Sequence, residues 1–257
     1  MNLKVKLFLI LLFLAAAQFY PNTYSDFLIQ GDRYYSEFDN KSALEDYLQA
    51  YNLSPGSYDV LFRLARTYND LGEEYYEYRD SDNSEKMINE ALKFSEMLTK
   101  NYPDSAASYA YLAMSFGNMA LYKGGKEKVR LAHKIEDNAK KSLQMNPNQY
   151  LSYVILGIYY RQITDLSWFE RMLANTFFGD VPEGSFNESV RMFNKALEVD
   201  PNTIVATFQL SLTYKALGDK DKEAELLKKL LTYPQQNFRD KFAIQKAKRR
   251  LKDLGIS

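Results

Sequence analysis

Cysteine is missing from all 257 residues. That excludes disulfides, thiolate metal sites and a cysteine nucleophile, and it fits either redox compartment. Histidine occurs once, at His133, so a His-based zinc centre cannot be assembled and no HExxH pattern exists. Neither sign of charge dominates, with Lys+Arg and Asp+Glu at 33 each. That balance gives no reason to expect nucleic acid as a partner. Glycine (11) and proline (7) are few and scattered, which leaves no flexible linker and no low-complexity tail. What the chain has in plenty is aromatic area, 21 Tyr and 16 Phe. Such flat side chains suit helical layers that interlock.

Residues 185–218, SFNESVRMFNKALEVDPNTIVATFQLSLTYKALG, carry the plainest pattern. Ser185 with Glu188 three residues on makes a capping box at a helix start. Val190, Phe193, Ala196 and Leu197 recur at helical spacing as one apolar stripe. Asp200-Pro201 ends that helix, because the residue before a proline is pushed out of the α region. Thr207, Leu210, Tyr214 and Leu217 mark a second helix, and Gly218 supplies its left-handed stop. Small and large residues placed in this way resemble tetratricopeptide repeats. The resemblance implies an all-α fold, a right-handed α-solenoid of about five helix pairs with insertions and a C-terminal capping helix.

The other units follow from that hairpin. A first covers residues 24–57, with Gly31 and Tyr34 on one helix, Ala43, Tyr47 and Ala50 on the next, and Pro55 closing it. These offsets match a repeat of about 34 residues. A second starts at Tyr58 with Leu61, Leu64, Ala65 and Tyr68, but its second helix, carrying Ala91, Leu98 and Pro103, arrives late. The acidic, tyrosine-rich residues 72–84 are expected to lengthen the first helix, to add a loop at 80–84 and to stay exposed. A third unit has Tyr109, Leu112, Ala113 and Phe116, a break at Gly124-Gly125 and a long helix over 126–146. A fourth has Tyr153, Leu156, Gly157 and Tyr160, then an insertion at 165–184. A fifth begins at Ile204 and returns through Ala224 and Leu227. Residues 238–254 are expected as a cap with a basic outer face.

Residues 1–17 read as a signal peptide. Lys4 and Lys6 form the positive region, 7–14 the apolar run, and Ala15-Ala16-Ala17 the small residues before a cleavage point. Residues 18–257 then form a single helical-repeat domain that is exported, periplasmic or secreted. The alternative is an uncleaved membrane anchor, although the apolar run is shorter than the roughly 20 residues a spanning helix needs.

Candidate chemistry is sparse. His133 falls on a long helix, where a packed or solvated histidine outweighs a catalytic one. Gly125-Lys126 lacks the flanking residues of a phosphate-binding loop and reads as a helix break. Asp80-Ser81-Asp82-Asn83-Ser84 alternates like a calcium loop but lacks its glycine and final glutamate, so a solvated acidic loop is expected. Glu73-Glu74 and Asp219/Asp221 sit at helix ends, where acids are ordinary. The basic run 246–252 is a solvated face, with an anionic membrane or acidic partner as the lesser reading. No catalytic residue, metal or cofactor is expected, and the protein is not read as an enzyme.

A closer resemblance rests on Leu166-Ser167-Trp168, Ala174, Phe178-Gly179, Pro182, Ser185-Phe186 and Asp240. Over residues 126–254 these resemble the regulator of microtubule dynamics family. The family implies a helical-repeat protein associated with microtubules and organelle membranes, and it brings no catalytic residues. A signal peptide sets a tubulin partner aside, since an exported protein would not meet cytosolic microtubules.

The repeat resemblance places the binding surface on the concave side. Leu28, Tyr35, Phe62, Arg66, Asn69, Ala110, Met114, Val154, Ile158, Arg161, Phe208 and Leu212 line it there. That is an apolar trough with Arg66 and Arg161 as polar fixed points. Chaperone-binding relatives carry Lys and Asn to hold a terminal carboxylate; Leu28 and Asp32 stand in those places, so that activity is not implied. A large open apolar surface is a liability unless covered, so the trough is either a site or filled by another segment. Two functions follow. One is a non-enzymatic scaffold or adaptor that binds a peptide or protein segment in the groove. The other is a carrier of a small apolar ligand or lipid, as a periplasmic transporter component. Trp168, Phe169, Leu173 and Phe177 give the insertion an apolar face, expected as an extra helix that is either a lid on the trough or an outer brace.

Overall fold

Each unit forms where local signals place it, in a computed structural model that describes residues 23–166, 171–172, 175–176 and 181–256. The signal peptide 1–17 and the insertion residues Trp168, Phe169, Leu173 and Phe177 lie outside the described residues. Eleven helices and no strand occur among those described. They pair as α1 (Tyr24–Ser36) with α2 (Asn40–Leu53), α3 (Tyr58–Glu77) with α4 (Ser81–Asn101), and α5 (Ala106–Met119) with α6 (Gly125–Met145). Then follow α7 (Tyr150–Thr164) with α8 (Phe186–Val199), α9 (Ile204–Leu217) with α10 (Lys220–Leu230), and a last helix α11 (Phe238–Asp253). The expected all-α solenoid of five pairs and a terminal helix is the one observed.

Helix ends obey the residues at them. α8 stops before Pro201 with Asp200 as its cap, and α9 ends on Gly218 at φ 77°. The Ser185 capping box forms only in half. The Ser185 hydroxyl accepts from the Glu188 amide at 3.1 Å, while the Glu188 carboxylate takes the Ser185 hydroxyl rather than its amide. Complete boxes stand instead at Thr23/Asp26 and Asn237/Asp240. Asp240, one of the residues behind the family resemblance, is therefore a buried cap that accepts from the Gln236 and Asn237 amides at 2.7 and 3.1 Å.

Within a unit, a small residue on one helix receives a large one from the next. A Cβ at Gly157 would stand 2.7 Å from Phe193 ring atoms, and Phe193 is completely buried. Burial of such a ring contributes roughly 2–3 kcal/mol, and it depends on the absence of that Cβ.

Residues 72–84 depart from expectation. They do lengthen α3, but the connection to α4 is only Tyr78–Asp80, and 81–84 are the first turn of α4. Asp80 is the cap of that turn, accepting from the Asn83 amide at 3.2 Å. The D-x-x-N spacing that looked like an acidic loop is a helix start. Nor is the stretch simply exposed, since Gly72 and Ser84 are buried and the Ser84 hydroxyl donates to the Gly72 carbonyl at 2.6 Å.

A candidate ligand cavity on the inner face

The first helices α3, α5, α7 and α9 touch in a row and form an inner layer. The terminal helix α11 contacts α9 and α10, and it also reaches α3 at the other end of the row. The row therefore curves, and α11 bridges it. The cap with a basic outer face therefore also makes an inner contact, and the basic run 246–252 is solvated only in part. Three bases of α11 are engaged inside the chain: Arg239 with Asp70 and Glu73, Lys246 with Glu77, and Arg250 with Glu223. Lys248, Arg249 and Lys252 stay exposed.

Between the inner layer and α11 lies a cavity of about 910 Å³. Its walls are apolar where the helices face inward: Ala113 and Met114 on α5, Val154 and Ile158 on α7, Phe208 on α9, and Phe242 on α11. Ile88 of α4 and Ile135 of α6 close the outer side. Charges along the lining balance among the described residues, with Glu73, Glu77 and Asp165 against Lys128, Arg239 and Lys246. Leu166, Val181 and Pro182, which flank the undescribed part of the insertion, are also in the lining. Arg171 ties the insertion to α7, donating to the Ile163 carbonyl at 2.6 Å and the Pro182 carbonyl at 3.2 Å.

The expected groove is thus split. Met114, Val154, Ile158 and Phe208 meet in the cavity. The N-terminal half, with Tyr35, Phe62, Arg66 and Asn69, is occupied by its own side chains. Arg66 stacks on Tyr35, 3.5 Å from its ring centre, and donates to the Tyr47 hydroxyl at 3.2 Å. Phe62 meets Tyr111 edge to face at 5.2 Å. Asn69 donates to Ser115, and Asn118 donates to both Asn69 and Glu73. Leu28 and Leu212 pack on separate parts of the core, and Ala110 is buried. Neither arginine is a free fixed point. Arg161 donates to the Gln209 carbonyl and side-chain oxygen, both at 2.7 Å, and burial pushes its guanidinium down to about 10.

At the junction of the two halves sits a buried ionic cluster. Asp70 has no exposed side chain, receives the Tyr35 hydroxyl at 2.8 Å and pairs with Arg239 at 2.5 Å. Burial pushes the Asp70 carboxyl up; Arg239 and Arg66 pull it back, and Glu73 pushes it further up. Burial opposes the charge on Arg239, but Asp70 and Glu73 outweigh it and hold the guanidinium protonated. Sequence reasoning missed Asp70 and Arg239, and it read Glu73 as an ordinary helix-end acid. Their one local signal is that Asp70 shares the buried face of α3 with Ala65 and Asn69.

Among the described residues no three His, Asp or Glu side chains gather as a metal ion requires. No described helix is long and apolar enough to cross a membrane. The arrangement offers an apolar container with a polar rim.

Comparison with known proteins gives this shape a lineage. The family model for regulator of microtubule dynamics protein 1-3 matches residues 27–255, so the likeness extends well beyond the C-terminal half. Mouse regulator of microtubule dynamics protein 1 is 26% identical over 217 residues, 84% of this chain and 70% of that protein. The human protein of the same name is 28% identical over 182 residues, 70% of this chain and 57% of that protein. Among solved structures, a tetratricopeptide repeat protein of Thermus thermophilus superposes with a TM-score of 0.66 at 17% identity, covering 88% of this chain and 98% of that one. That likeness concerns the fold.

Proposed function

The chain belongs to the regulator of microtubule dynamics protein 1-3 family, and from that premise we propose a non-enzymatic helical-repeat binding protein whose cavity carries a small apolar ligand. The bridge made by α11 carries this reading. An extended peptide laid along the whole inner face would have to cross Arg239 where it meets Asp70 and Glu73. An apolar chain of modest size needs only the compartment beyond it, of about 910 Å³. Pockets for small ligands are commonly about 300–1,000 Å³ and mostly apolar. The described flanks of the insertion, Leu166, Val181 and Pro182, line the cavity, which favours a lid over an outer brace.

Three measurements test the reading. Native mass spectrometry of freshly purified protein is expected to show a co-purifying organic ligand. Ile158→Trp, which puts a large ring into the cavity, is expected to weaken binding of the neutral dye N-phenylnaphthylamine by about tenfold or more while the helical circular dichroism is kept. Replacing residues 165–184 by a short Gly/Ser loop should speed dye release. Unchanged affinity in Ile158→Trp, with no co-purifying ligand, would overturn the cavity as a site. The adaptor reading keeps one support: Tyr76 and Leu121 line the cavity and remain about half exposed, at 51% and 47%. Side chains of a partner segment could enter there. A defined protein recovered in place of a small ligand would establish it.

Export is proposed on the pattern of residues 1–17. N-terminal sequencing is expected to find Gln18 first on soluble material, and intact Met1 on membrane-bound material would reject it. Microtubule regulation, stated in the relatives' names, is not carried over to an exported protein.

A further inference from the structure

The two seams of α11 differ in kind. On one side Ala243, Ala247 and Leu251 join Ile204, Phe208 and Leu227 in a single apolar cluster, with one ion pair, Arg250 with Glu223, beside it. On the other side, α11 meets α3 through Arg239 with Asp70 and Glu73 and Lys246 with Glu77, and the edge of Phe242 meets Tyr78, just past the end of α3, at 5.5 Å. No α3 residue belongs to the apolar cluster that holds α11. We propose that α11 is a strap: it stays hinged on α9 and α10 by its apolar face and parts from α3 to open the cavity.

Three physical points support this. Hydrophobic contact has no substitute in water, whereas separated ion pairs regain hydration, so a buried ionic seam is close to balanced between joined and parted states. Opening also needs little from the rest of the chain. In a solenoid each unit touches only its neighbours, so small changes at the interfaces between α3 and α9 add up to a large displacement at the ends. Third, the seam lies on the cavity wall: Glu73, Glu77, Arg239, Phe242 and Lys246 all line it. Parting the seam therefore uncovers the cavity and not some unrelated surface. Leu166, Val181 and Pro182, at the described ends of the insertion, line the cavity as well.

This inference rests on the cavity as a ligand site, and its test separates the two. The lack of cysteine allows clean labelling. In Glu77→Cys/Lys246→Cys, a bis-maleimide ties α11 to α3, and uptake of N-phenylnaphthylamine is followed by stopped flow. The tied protein is expected to take up dye at least about tenfold more slowly than the same variant untied, with similar final fluorescence. Lys246→Glu sets like charges across the seam and should load faster than the natural chain. Equal rates in all three forms, with dye bound, would overturn the strap and leave the cavity standing. Absence of dye binding in every form would reject the cavity instead. The strap is then judged by the distance between spin labels on Arg79→Cys and Gln245→Cys. Lengthening of that distance on adding Lys246→Glu supports it, and an unchanged distance overturns it.

Discussion

Gly157→Leu is expected to lower the stability of the fold by about 3 kcal/mol or more, the upper end of what overpacking a core contact costs. The first atom added would stand 2.7 Å from the Phe193 ring. That ring is completely buried between α7 and α8, so it has no open space to swing into. Since each unit is stabilised through its neighbours, the damage should spread to the α9–α10 pair, whose Ala206 and Leu210 share a core with Phe193. Glu225→Ala on the exposed side of α10 serves as control and should stay within about 0.5 kcal/mol. Phe193→Ala alone should cost about 3–5 kcal/mol by leaving a void. Combined with Gly157→Leu it should cost less than the two single changes added together, because the leucine occupies space the ring gave up. Chemical denaturation of the four proteins decides. Strict additivity, or a Gly157→Leu midpoint equal to that of the control, would show that the two helices do not meet there.

The helix pairs were legible because their signals are local. Asp200-Pro201, Gly218 and the spacing of Val190, Phe193, Ala196 and Leu197 act within a turn or two, and the chain obeys them. Small-to-large packing was legible for the same reason, since Gly157 stands where the repeat demands a close approach. Two local readings failed where one pattern serves two structures. Asp80 to Ser84 spell both an acidic loop and a capped helix start, and the cap won because Asp80 satisfies an amide of α4. Ser185 and Glu188 have the spacing of a full box, yet the carboxylate found the serine hydroxyl first.

The inner face was legible by position and misread in content. Met114, Val154, Ile158 and Phe208 converge as the repeat register requires. What divides the groove is a contact between residues 166 positions apart, Arg239 with Glu73. Nothing in the periodicity of either helix announces it. On α11, Arg239 reads as one more base of a basic face. On α3, Glu73 reads as one of a run of helix-end acids. Only the curvature summed over the intervening units brings them together, and that curvature depends on packing at every interface.

Arg239→Gln should therefore test the assembly at its least legible point. Removing one partner of a buried pair costs about 3–5 kcal/mol, because the other charge is left without compensation. Here the stranded group is Asp70, with no exposed side chain. Glu73, with its side chain 27% exposed, can turn to water. The loss should depend on pH in a defined direction. Burial already pushes the Asp70 carboxyl above its ordinary value, and Arg239 is the largest influence holding it down. Without Arg239 the folded-state value rises further. An acid whose pKa is raised by folding stabilises the fold fully below its unfolded value and loses that contribution as pH climbs through the folded value. The deficit of Arg239→Gln against the natural chain should accordingly be larger at about pH 8 than at about pH 5. Adding Asp70→Asn removes the stranded charge and keeps an acceptor for the Tyr35 hydroxyl. It should recover most of the loss and flatten the pH dependence. Urea midpoints for the three proteins at both pH values give the answer. A deficit identical at the two pH values, or no recovery on adding Asp70→Asn, would mean that Arg239 holds α11 by packing and that the charge on Asp70 plays no part.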